Sequence, residues 1–316
     1  MKASVHAMEA FFIGPSRMLA RIQQLIAFTL VCAAIAALAF AFGTGRPWLG
    51  AAFPGLVIIG YLGVLAVEFG LLRASYATKD AVRPGIAQLV RAWAVEALAA
   101  PRVFLWLQPF RSASEPDHLP PGAHERRGVV LVHGFFCNRG LWNPLLRRLR
   151  AANVPFAAVS LEPIFGSIDS YAPTIAAAVA AVERATGLSP LIVAHSMGGL
   201  AVRAWLAANA DARAHRVITI ASPHAGTRLA AHGRGRNVAQ MRHGSAWLAD
   251  LARNDAITAR TQVICFWSHC DNIVFPTRSA TLPGADNRHL EGTPHVAMVF
   301  HPAVVEEVIR AAHAPA

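Results

Sequence analysis

The first quarter of the chain contains two long runs without a charged residue. Residues 25–42 form the first run, and the second extends uncharged over residues 48–67. A helix of about 20 apolar residues spans a hydrocarbon core of roughly 30 Å, so the pattern predicts transmembrane helices over about 25–42 and 48–72. A cleaved signal peptide is the alternative for the first run, but a second apolar run follows where a mature domain would begin.

Basic residues flank this predicted hairpin on both sides. Because positive charges concentrate on the cytoplasmic side of a membrane, we expect both chain ends, and everything downstream, in the cytoplasm, with the hairpin in the cell inner membrane. Glu68, near the end of the second helix, is expected at the membrane interface, since a charge at the bilayer centre is costly. The flanking residues are Lys2, Arg17 and Arg21 before the hairpin and Arg73, Lys79, Arg83 and Arg91 after it, against Arg46 alone in the turn.

A third apolar pattern follows in residues 85–110, where hydrophobic positions recur at helical spacing. It predicts an amphipathic helix, which either lies on the membrane surface or packs against the downstream domain. Residues 112–127 are polar and proline-rich without periodicity, which is typical of a linker. We therefore assign residues 1–111 to a membrane anchor. The helical face comprises Ile86, Leu89, Val90, Trp93 and Ala97.

From residue 128 onward, strand-like runs alternate with helical segments. Strands that alternate with helices of about 10 to 15 residues predict an α/β fold, with a mostly parallel sheet covered on both faces. Functional groups of such sheets gather at the carboxyl ends of the strands. Within this domain of residues 128–316, residues 227–260 break the alternation and are predicted to form a cap. The strand-like runs are GVVLVHGF, VPFAAVSL, PLIVAHS, RVITIAS and TQVICFWSH.

Composition narrows the classes of partner and cofactor. The 316 residues carry a net charge of +11. The arginines are spread along the chain instead of clustering with aromatic residues as in a nucleic-acid groove, and an anionic membrane surface fits this charge better. The sequence has no phosphate-binding loop and no metal-site spacing, so we predict no cofactor. The four cysteines are predicted to be free thiols: Cys32, Cys137, Cys265 and Cys270.

Ser196 stands in the segment PLIVAHSMGG, between a run of strand formers and a run of helix formers. A sharp strand-to-helix turn presents a serine hydroxyl free of the backbone, and it requires small residues two positions before and after the serine. Ala194 and Gly198 occupy those positions, so the motif is A-x-S-x-G where G-x-S-x-G is commoner. The sequence predicts a nucleophile elbow, and a glycine-containing turn is the alternative.

An oxyanion that develops beside Ser196 needs two N–H donors. The N–H of Met197, at the start of the helix, is one candidate. In folds with this type of elbow the second donor comes from the loop after an early strand, and VVLVHGFF places Phe135 there. His133 is expected to shape that loop and not to act as the base, since the order of triad residues in this fold is serine, acid, histidine.

The acid and the base that would activate Ser196 follow it in the chain. Asp271 lies just past the strand-like run CFWSH and is the predicted acid, with Glu291 as the second choice. His295 lies in a loop before the final helix, within GTPHVAMVFHP, and is the predicted base. Such a histidine takes the proton of the serine while the acid fixes its tautomer.

Five segments together resemble α/β-hydrolase-fold bacterial lipases and their membrane-bound relatives of the GPI-inositol-deacylase type. They are VVLVHGFF, AHSMGG, TIASPHAGT, D-x-x-V-x-P at Asp271 and H-x-x-M at His295. The resemblance covers residues 127–313 and not the hairpin, and it implies hydrolysis of acyl esters through an acyl-enzyme on Ser196. His243 stands where those lipases usually have a proline, and His224 in SPHAG is expected to fix a loop near the site.

Three alternatives remain open for the function, and the role of the apolar residues in the cap is open as well. An acyltransferase uses the same acyl-enzyme with another acceptor, a membrane permease component accounts for the hairpin, and a non-catalytic binding module accounts for the hydrolase fold. In the cap, apolar residues at helical spacing either line an acyl pocket or form a core. These residues are Met241, Trp247, Leu248 and Leu251.

Overall fold

Two long helices open the part of the chain that the structure describes, which in this computed structural model is residues 18–76, 83–124, 126–254 and 257–314. Helices α1, Met18–Gly43, and α2, Trp48–Ser75, form a hairpin, and both are long and apolar enough to cross a membrane. Most of their buried residues lie near the start of α1 and the end of α2. The remaining length of both helices exposes large apolar side chains such as Leu25, Ile35 and Ile59. The predictions for Lys2, Arg17 and Lys79 lie outside the described residues.

The predicted amphipathic helix continues through three segments. Helix α3, Ile86–Pro101, runs into a π-helical segment, Arg102–Leu107, and then into α4, Gln108–Arg111. One face of α3 is buried against the rest of the protein. Its other face is also apolar and exposed. Helix α3 therefore packs on the domain and still presents a hydrophobic surface outward, which combines the two alternatives. The buried residues are Leu89, Ala92, Glu96 and Ala100, and the exposed ones include Ile86, Val90, Val95 and Leu98.

The segment predicted as a linker packs along the edge of the sheet. His118 and Phe156 exchange two backbone hydrogen bonds, with N···O distances of 2.9 and 2.8 Å. Asp117 also accepts a hydrogen bond from the guanidinium of Arg139 at 2.7 Å. These contacts tie the segment to the domain, so it is not a free tether between the hairpin and the sheet.

A sheet of six parallel strands forms the centre of the protein, in the order β2-β1-β3-β4-β5-β6. The predicted α/β architecture is therefore confirmed. Five strands coincide with the predicted apolar runs, since strands covered on both faces are hydrophobic throughout. The sequence pattern does not predict β6, because its residues are polar and mostly exposed at the edge. The strands are β1 Val129–Val132, β2 Phe156–Ala158, β3 Leu191–His195, β4 Arg216–Ile220, β5 Gln262–Trp267 and β6 Asp286–His289.

Helices cover both faces of this sheet. The first and last helices of the domain, α5 and α11, pack on one face, and α6 and α7 pack on the other. Helix α6, Ala172–Thr186, is followed by Gly187, whose φ of 74° closes the last turn without a Cβ penalty. The helices are α5 Asn143–Ala151, α6 Ala172–Thr186, α7 Met197–Ala208, α8 Arg236–Gln240, α9 Ala246–Asn254, α10 Ile257–Arg260 and α11 Pro302–Ala312.

The apolar residues predicted at helical spacing in the cap do not line the cavity beside Ser196, although Leu229 from the start of the same segment does. Met241, Leu248 and Leu251 are buried in the same hydrophobic cluster as α6 and α7. The indole N–H of Trp247 donates to the carboxylate of Asp169 at 3.0 Å. Of the two alternatives for these residues, the structure supports a core.

Candidate active site

Ser196 lies at a sharp turn between β3 and α7. Its backbone has φ 53° and ψ −128°, a conformation that residues with a side chain rarely adopt. Its N–H donates to the carbonyl of Ile220 in β4, with an N···O distance of 2.8 Å. The turn thus holds this serine in a strained conformation at the carboxyl end of the sheet, with the strand–turn–helix geometry that an elbow requires.

Glycines let three backbone segments meet at this turn. A Cβ atom on Gly198 would lie 2.5 Å from the carbonyl oxygen of Val132, at the end of β1. A Cβ atom on Gly134 would lie 2.7 Å from the Cβ atom of Ser196. Such distances are too short for real atoms, so the loop after β1 touches the serine only because residue 134 has no side chain.

The two predicted oxyanion donors lie in the segments that meet here. Met197 is the first residue of α7, where backbone N–H groups have no acceptor within the helix. Phe135 follows Gly134, and it lines the same cavity as Ser196. Phe136 has φ 53°, so the loop turns sharply directly after Phe135.

His133 holds this loop in place through both ring nitrogens. Its Nε2 accepts from the N–H of Leu161 at 2.9 Å, and its Nδ1 lies 2.9 Å from the carbonyl oxygen of Gly134. Because Nε2 accepts, the proton is on Nδ1, which donates to Gly134. Burial lowers the pKa of His133 to about 4, so the ring is neutral at physiological pH. The geometry agrees with the predicted role of His133 in shaping the loop.

Asp271 and His295 form a buried hydrogen-bonded pair. His295 Nδ1 lies 2.9 Å from Asp271 Oδ1 and 3.1 Å from Oδ2. Asp271 Oδ1 also accepts from the N–H groups of Ile273 and Val274, at 3.0 and 2.9 Å. These bonds stabilise the carboxylate and orient the imidazole toward the cavity that Ser196 lines. The second choice for the acid, Glu291, is exposed and accepts from Gln88 instead.

The surroundings of His295 act on its pKa in opposite directions. Burial is the largest single influence and lowers the pKa, but the Asp271 carboxylate raises it through its charge and its hydrogen bond. The carboxylates of Glu96 and Glu68 raise it further, and the net pKa lies above the ordinary value of 6.5. The site is therefore arranged to stabilise an imidazolium at His295.

Residues of the N-terminal helices support the loops that carry this pair, and sequence reasoning misses this role. The amide of Asn272, next to Asp271, donates to Glu68 Oε2 in α2 at 2.7 Å. Its Oδ1 accepts from the backbone N–H of His295 at 3.2 Å. Asn272 thus joins α2 to both loops. The predicted interfacial position of Glu68 is untested, but its partner is now defined.

Glu96 in α3 supports the other side of His295. Its two carboxylate oxygens accept from the N–H groups of Val296 and Ala297, at 2.8 and 3.1 Å. Ala297 begins a short 3₁₀-helix that ends at Phe300, so Glu96 caps it. Burial raises the pKa of Glu96 to about 7, against the lowering effect of these hydrogen bonds. No local signal in the sequence separates Glu96 from an ordinary helix-surface glutamate.

The SPHAGT segment lies against the loop of the acid. The hydroxyl of Thr227 donates to the carbonyl of Ile273 at 2.6 Å, which ties the two loops together. His224 is buried, with Nε2 3.1 Å from the hydroxyl of Thr219, and its carbonyl accepts from Arg203 at 2.9 Å. Burial lowers the pKa of His224 well below its ordinary value. Its contacts fit the predicted structural role.

His195 is a further histidine at the site that the sequence motif does not single out. Its ring centroid lies 4.8 Å from that of His295, and its Nε2 lies 3.4 Å from the carbonyl oxygen of His295. Burial lowers its pKa well below the ordinary value, and so does the charge of His295. His195 therefore packs as a neutral ring behind the predicted base. Its position directly before Ser196 in β3 is the only signal in the sequence.

One cavity of about 360 Å³ joins these elements. Its walls include Ser196, His295 and Phe135 from the domain, and residues of α2 and α3 close the opposite side. Within the described ranges, no group of three or more histidine, cysteine, aspartate or glutamate residues is placed to hold a metal ion. The residues of α2 and α3 in the wall are Tyr61, Val64, Leu65, Glu68, Glu96 and Ala100.

The six-stranded parallel sheet and the strand–turn–helix elbow at Ser196 are those of the α/β-hydrolase fold. The chain is similar in structure to the mature form of a Bacillus licheniformis lipase, with 18% identity over 61% of this chain and 95% of that chain and a TM-score of 0.54. It is also similar to Aspergillus fumigatus lipase B, with 16% identity over 98% of this chain and 85% of that chain and a TM-score of 0.57. The predicted fold is thereby confirmed. No protein-family model and no curated protein sequence matches the chain.

Proposed function

We propose that this protein is a membrane-anchored serine hydrolase that cleaves acyl esters of lipids, with Ser196 as nucleophile, His295 as base and Asp271 as acid. One observation carries the proposal. A serine strained at the carboxyl end of the sheet and a histidine paired with a buried aspartate face one largely apolar cavity. Together these are the three groups that acyl transfer to serine requires.

The first half of the reaction transfers the acyl group to the enzyme. Ser196 Oγ attacks the ester carbonyl carbon while its proton passes to His295 Nε2, and the carbonyl oxygen becomes an oxyanion. The N–H groups of Phe135 and Met197 donate to that oxyanion. When the intermediate collapses, the bond to the alcohol oxygen breaks. His295 returns the proton to this leaving alcohol, and an acyl ester on Ser196 remains.

The second half releases the acid. Water attacks the acyl carbon while His295 takes one of its protons, and the tetrahedral intermediate expels Ser196 Oγ, which recovers that proton. Asp271 remains ionised and holds the imidazole through Nδ1 in both halves. A raised pKa of His295 suits this cycle, because the imidazolium forms twice in each turnover.

Two features support a lipid ester as the substrate class. Helices α1 and α2 are long and apolar enough to cross a membrane, and α3 adds an exposed apolar face beside them. The solved structures with the same fold include two lipases, which is consistent with this class. We propose that the hairpin holds the site at the surface of the bilayer, and the cytoplasmic orientation stays a prediction from the charge pattern.

The test is covalent labelling of the full chain with a fluorophosphonate probe, which reacts with activated serines. The wild-type protein and Ser222→Ala are expected to be labelled. Ser196→Ala is expected to remain unlabelled and to lose hydrolysis of p-nitrophenyl acetate, with an unchanged circular dichroism spectrum. Ser222 is a matched control, because its buried hydroxyl lies close to the elbow at Gly199. Labelling that persists in Ser196→Ala would mean that another residue is the nucleophile.

A further inference from the structure

The cavity at Ser196 extends along one face of α2. The residues of this helix in the cavity wall are Tyr61, Val64, Leu65 and Glu68. They are spaced by three, one and three residues, so they lie on one side of the helix. From Glu68 to Tyr61 this wall runs about 10 Å along the helix axis, at 1.5 Å per residue. The hairpin therefore contributes part of the cavity and is not only an anchor beside it.

The polar groups in this part of the wall already have partners. Glu68 accepts from Asn272, and the carboxylate of Glu96 accepts from two backbone N–H groups. The hydroxyl of Tyr61 lies 3.3 Å from the carbonyl oxygen of Ala97. Because these polar groups are already hydrogen-bonded, the part of the cavity wall that a ligand could contact is mostly hydrocarbon. A volume of about 360 Å³ is within the usual range for sites that bind small ligands.

The cavity is bordered by an exposed residue of α2. Val64 is 60% exposed although it lines the cavity, so this wall reaches the outer surface of the helix. Further along α2 toward its beginning, Leu56 and Ile59 are exposed apolar residues as well. A protein surface of this kind, on a helix of spanning length, faces lipid tails more favourably than water.

The direction of the cavity matches the direction of a lipid in a bilayer. Its Glu68 end lies beside the loops of Asp271 and His295, near the end of α2 that packs on the domain. Its Tyr61 end lies near the middle of α2. In a spanning helix, the middle is deepest in the hydrocarbon and the ends are near the head groups. An ester carbonyl at Ser196 and a tail along α2 would therefore keep the depths that they have in the membrane.

We propose that this α2 wall is the acyl-chain subsite of the enzyme, and that the chain of a membrane lipid ester enters it sideways from the bilayer, past Val64. This proposal rests on the proposed function. It places the specificity for chain length in Tyr61, Val64 and Leu65, residues outside the sheet domain. The cap residues Met241, Leu248 and Leu251 are buried in the core and do not line the cavity.

The experiment compares two substitutions on α2, with the full chain reconstituted in vesicles of an ether-linked phospholipid that offers no ester bond. Val64→Trp narrows the subsite, whereas Val67→Trp adds the same bulk at a position that is 62% exposed and outside the cavity wall. We expect the ratio of kcat/KM for p-nitrophenyl palmitate to that for p-nitrophenyl acetate to fall at least about tenfold in Val64→Trp, the cost of overpacking a filled site. In Val67→Trp this ratio stays at the wild-type value. Equal ratios in the two variants would overturn the proposal.

A second variant covers the case in which Val64→Trp does not fold. Tyr61→Ala removes the ring at the far end of the subsite, so the preferred chain length in a p-nitrophenyl ester series should move to longer acids. A chain-length profile identical to that of the wild type would contradict the subsite. Failure of the proposed function has a different signature, because wild-type protein would then neither react with a fluorophosphonate probe nor hydrolyse the acetate ester.

Discussion

Ser196 is held from within the sheet, whereas Asp271 and His295 are held in part by helices outside it. The serine turn contacts the ends of β1 and β4 through backbone atoms and glycines. The proposed acid and base sit on loops that are further supported by Glu68 of α2, through Asn272, and by Glu96 of α3. Backbone contacts inside a buried sheet tolerate few changes, whereas each of the three side-chain contacts can be removed by a single substitution.

This difference gives the N-terminal region a second role, as a support for the loops of Asp271 and His295. A hairpin that only anchors the enzyme could be removed without affecting the chemistry. Here α2 and α3 pack on the loop of the acid through a small cluster that contains Phe69, Leu72, Cys270 and Phe275. Glu96 of α3 accepts directly from the N–H groups of Val296 and Ala297, and Glu68 of α2 reaches the N–H of His295 through the side chain of Asn272. The proposed anchor is therefore in direct contact with the loops of the proposed acid and base, and substitutions in each half of the site test what this contact contributes.

The largest effect on kcat is expected from a change at the serine turn, the half of the site that lies within the sheet. Gly134→Ala places a Cβ atom 2.7 Å from Cβ of Ser196, so the loop that carries the Phe135 N–H must move away from the serine. Loss of one oxyanion donor costs about 10²- to 10³-fold in kcat. We expect a loss of this size in kcat for p-nitrophenyl acetate, measured by steady-state kinetics, with KM changed much less.

The control for this prediction is Gly63→Ala in α2, where an added Cβ meets no atom within 4 Å. It should keep the wild-type kcat. A Gly134→Ala protein with wild-type kcat would show that the loop after β1 supplies no donor, and the assignment of Phe135 would have to be withdrawn.

A smaller effect is expected when the contact between α2 and the acid–base loops is cut. Asn272→Ala removes the amide that joins Glu68 to the N–H of His295. A catalytic group that is displaced by about 1 Å or less loses on the order of 10- to 100-fold in rate. We therefore expect kcat to fall within this range while KM for the acetate ester stays the same, because the amide and the oxygen of Asn272 are engaged by Glu68 and by the N–H of His295.

The matched variant is Glu68→Gln, whose amide oxygen still accepts from Asn272. It should retain kcat close to the wild-type value, whereas Glu68→Leu, which has no acceptor, should behave like Asn272→Ala. If Glu68→Leu is fully active, α2 does not contribute to the position of His295, and the support from the N-terminal helices is then limited to Glu96 in α3.

The contrast between the halves also explains what can be predicted from the sequence. The elbow is a local pattern, because the strand residues before Ser196 and the small residues around it lie within a few positions. The prediction of Asp271 rests on chain order and on the strand-like run before it, and that of His295 rests on chain order and on the helix that follows its loop. Glu68 and Asn272, in contrast, are 204 positions apart, and no periodicity links them. Their contact depends on how α2 packs on the domain, and so does the part of the cavity that α2 forms.

The smallest effect is expected at Glu96, and it concerns pH more than rate. The charge of Glu96 raises the pKa of His295, and its carboxylate accepts from Val296 and Ala297. Since the base must be neutral in the free enzyme, kcat/KM of the wild type should rise with pH around a pKa above 6.5. Glu96→Gln removes a carboxyl group that, with its pKa of about 7, becomes negatively charged as the pH rises through neutrality, and it keeps one acceptor oxygen. We expect kcat to fall by less than about tenfold, and the rise in kcat/KM to move to lower pH.

The direction of this shift separates an electrostatic role from a merely structural one. Loss of a hydrogen bond alone would lower kcat/KM at every pH and leave the midpoint of its rise unchanged. The control is Glu291→Gln, an exposed carboxylate near His295 in sequence that does not contribute to its raised pKa, and its profile should match that of the wild type. A midpoint in Glu96→Gln that stays in place or moves to higher pH would contradict the coupling of α3 to the base. The support from outside the sheet would then be limited to α2 and Asn272.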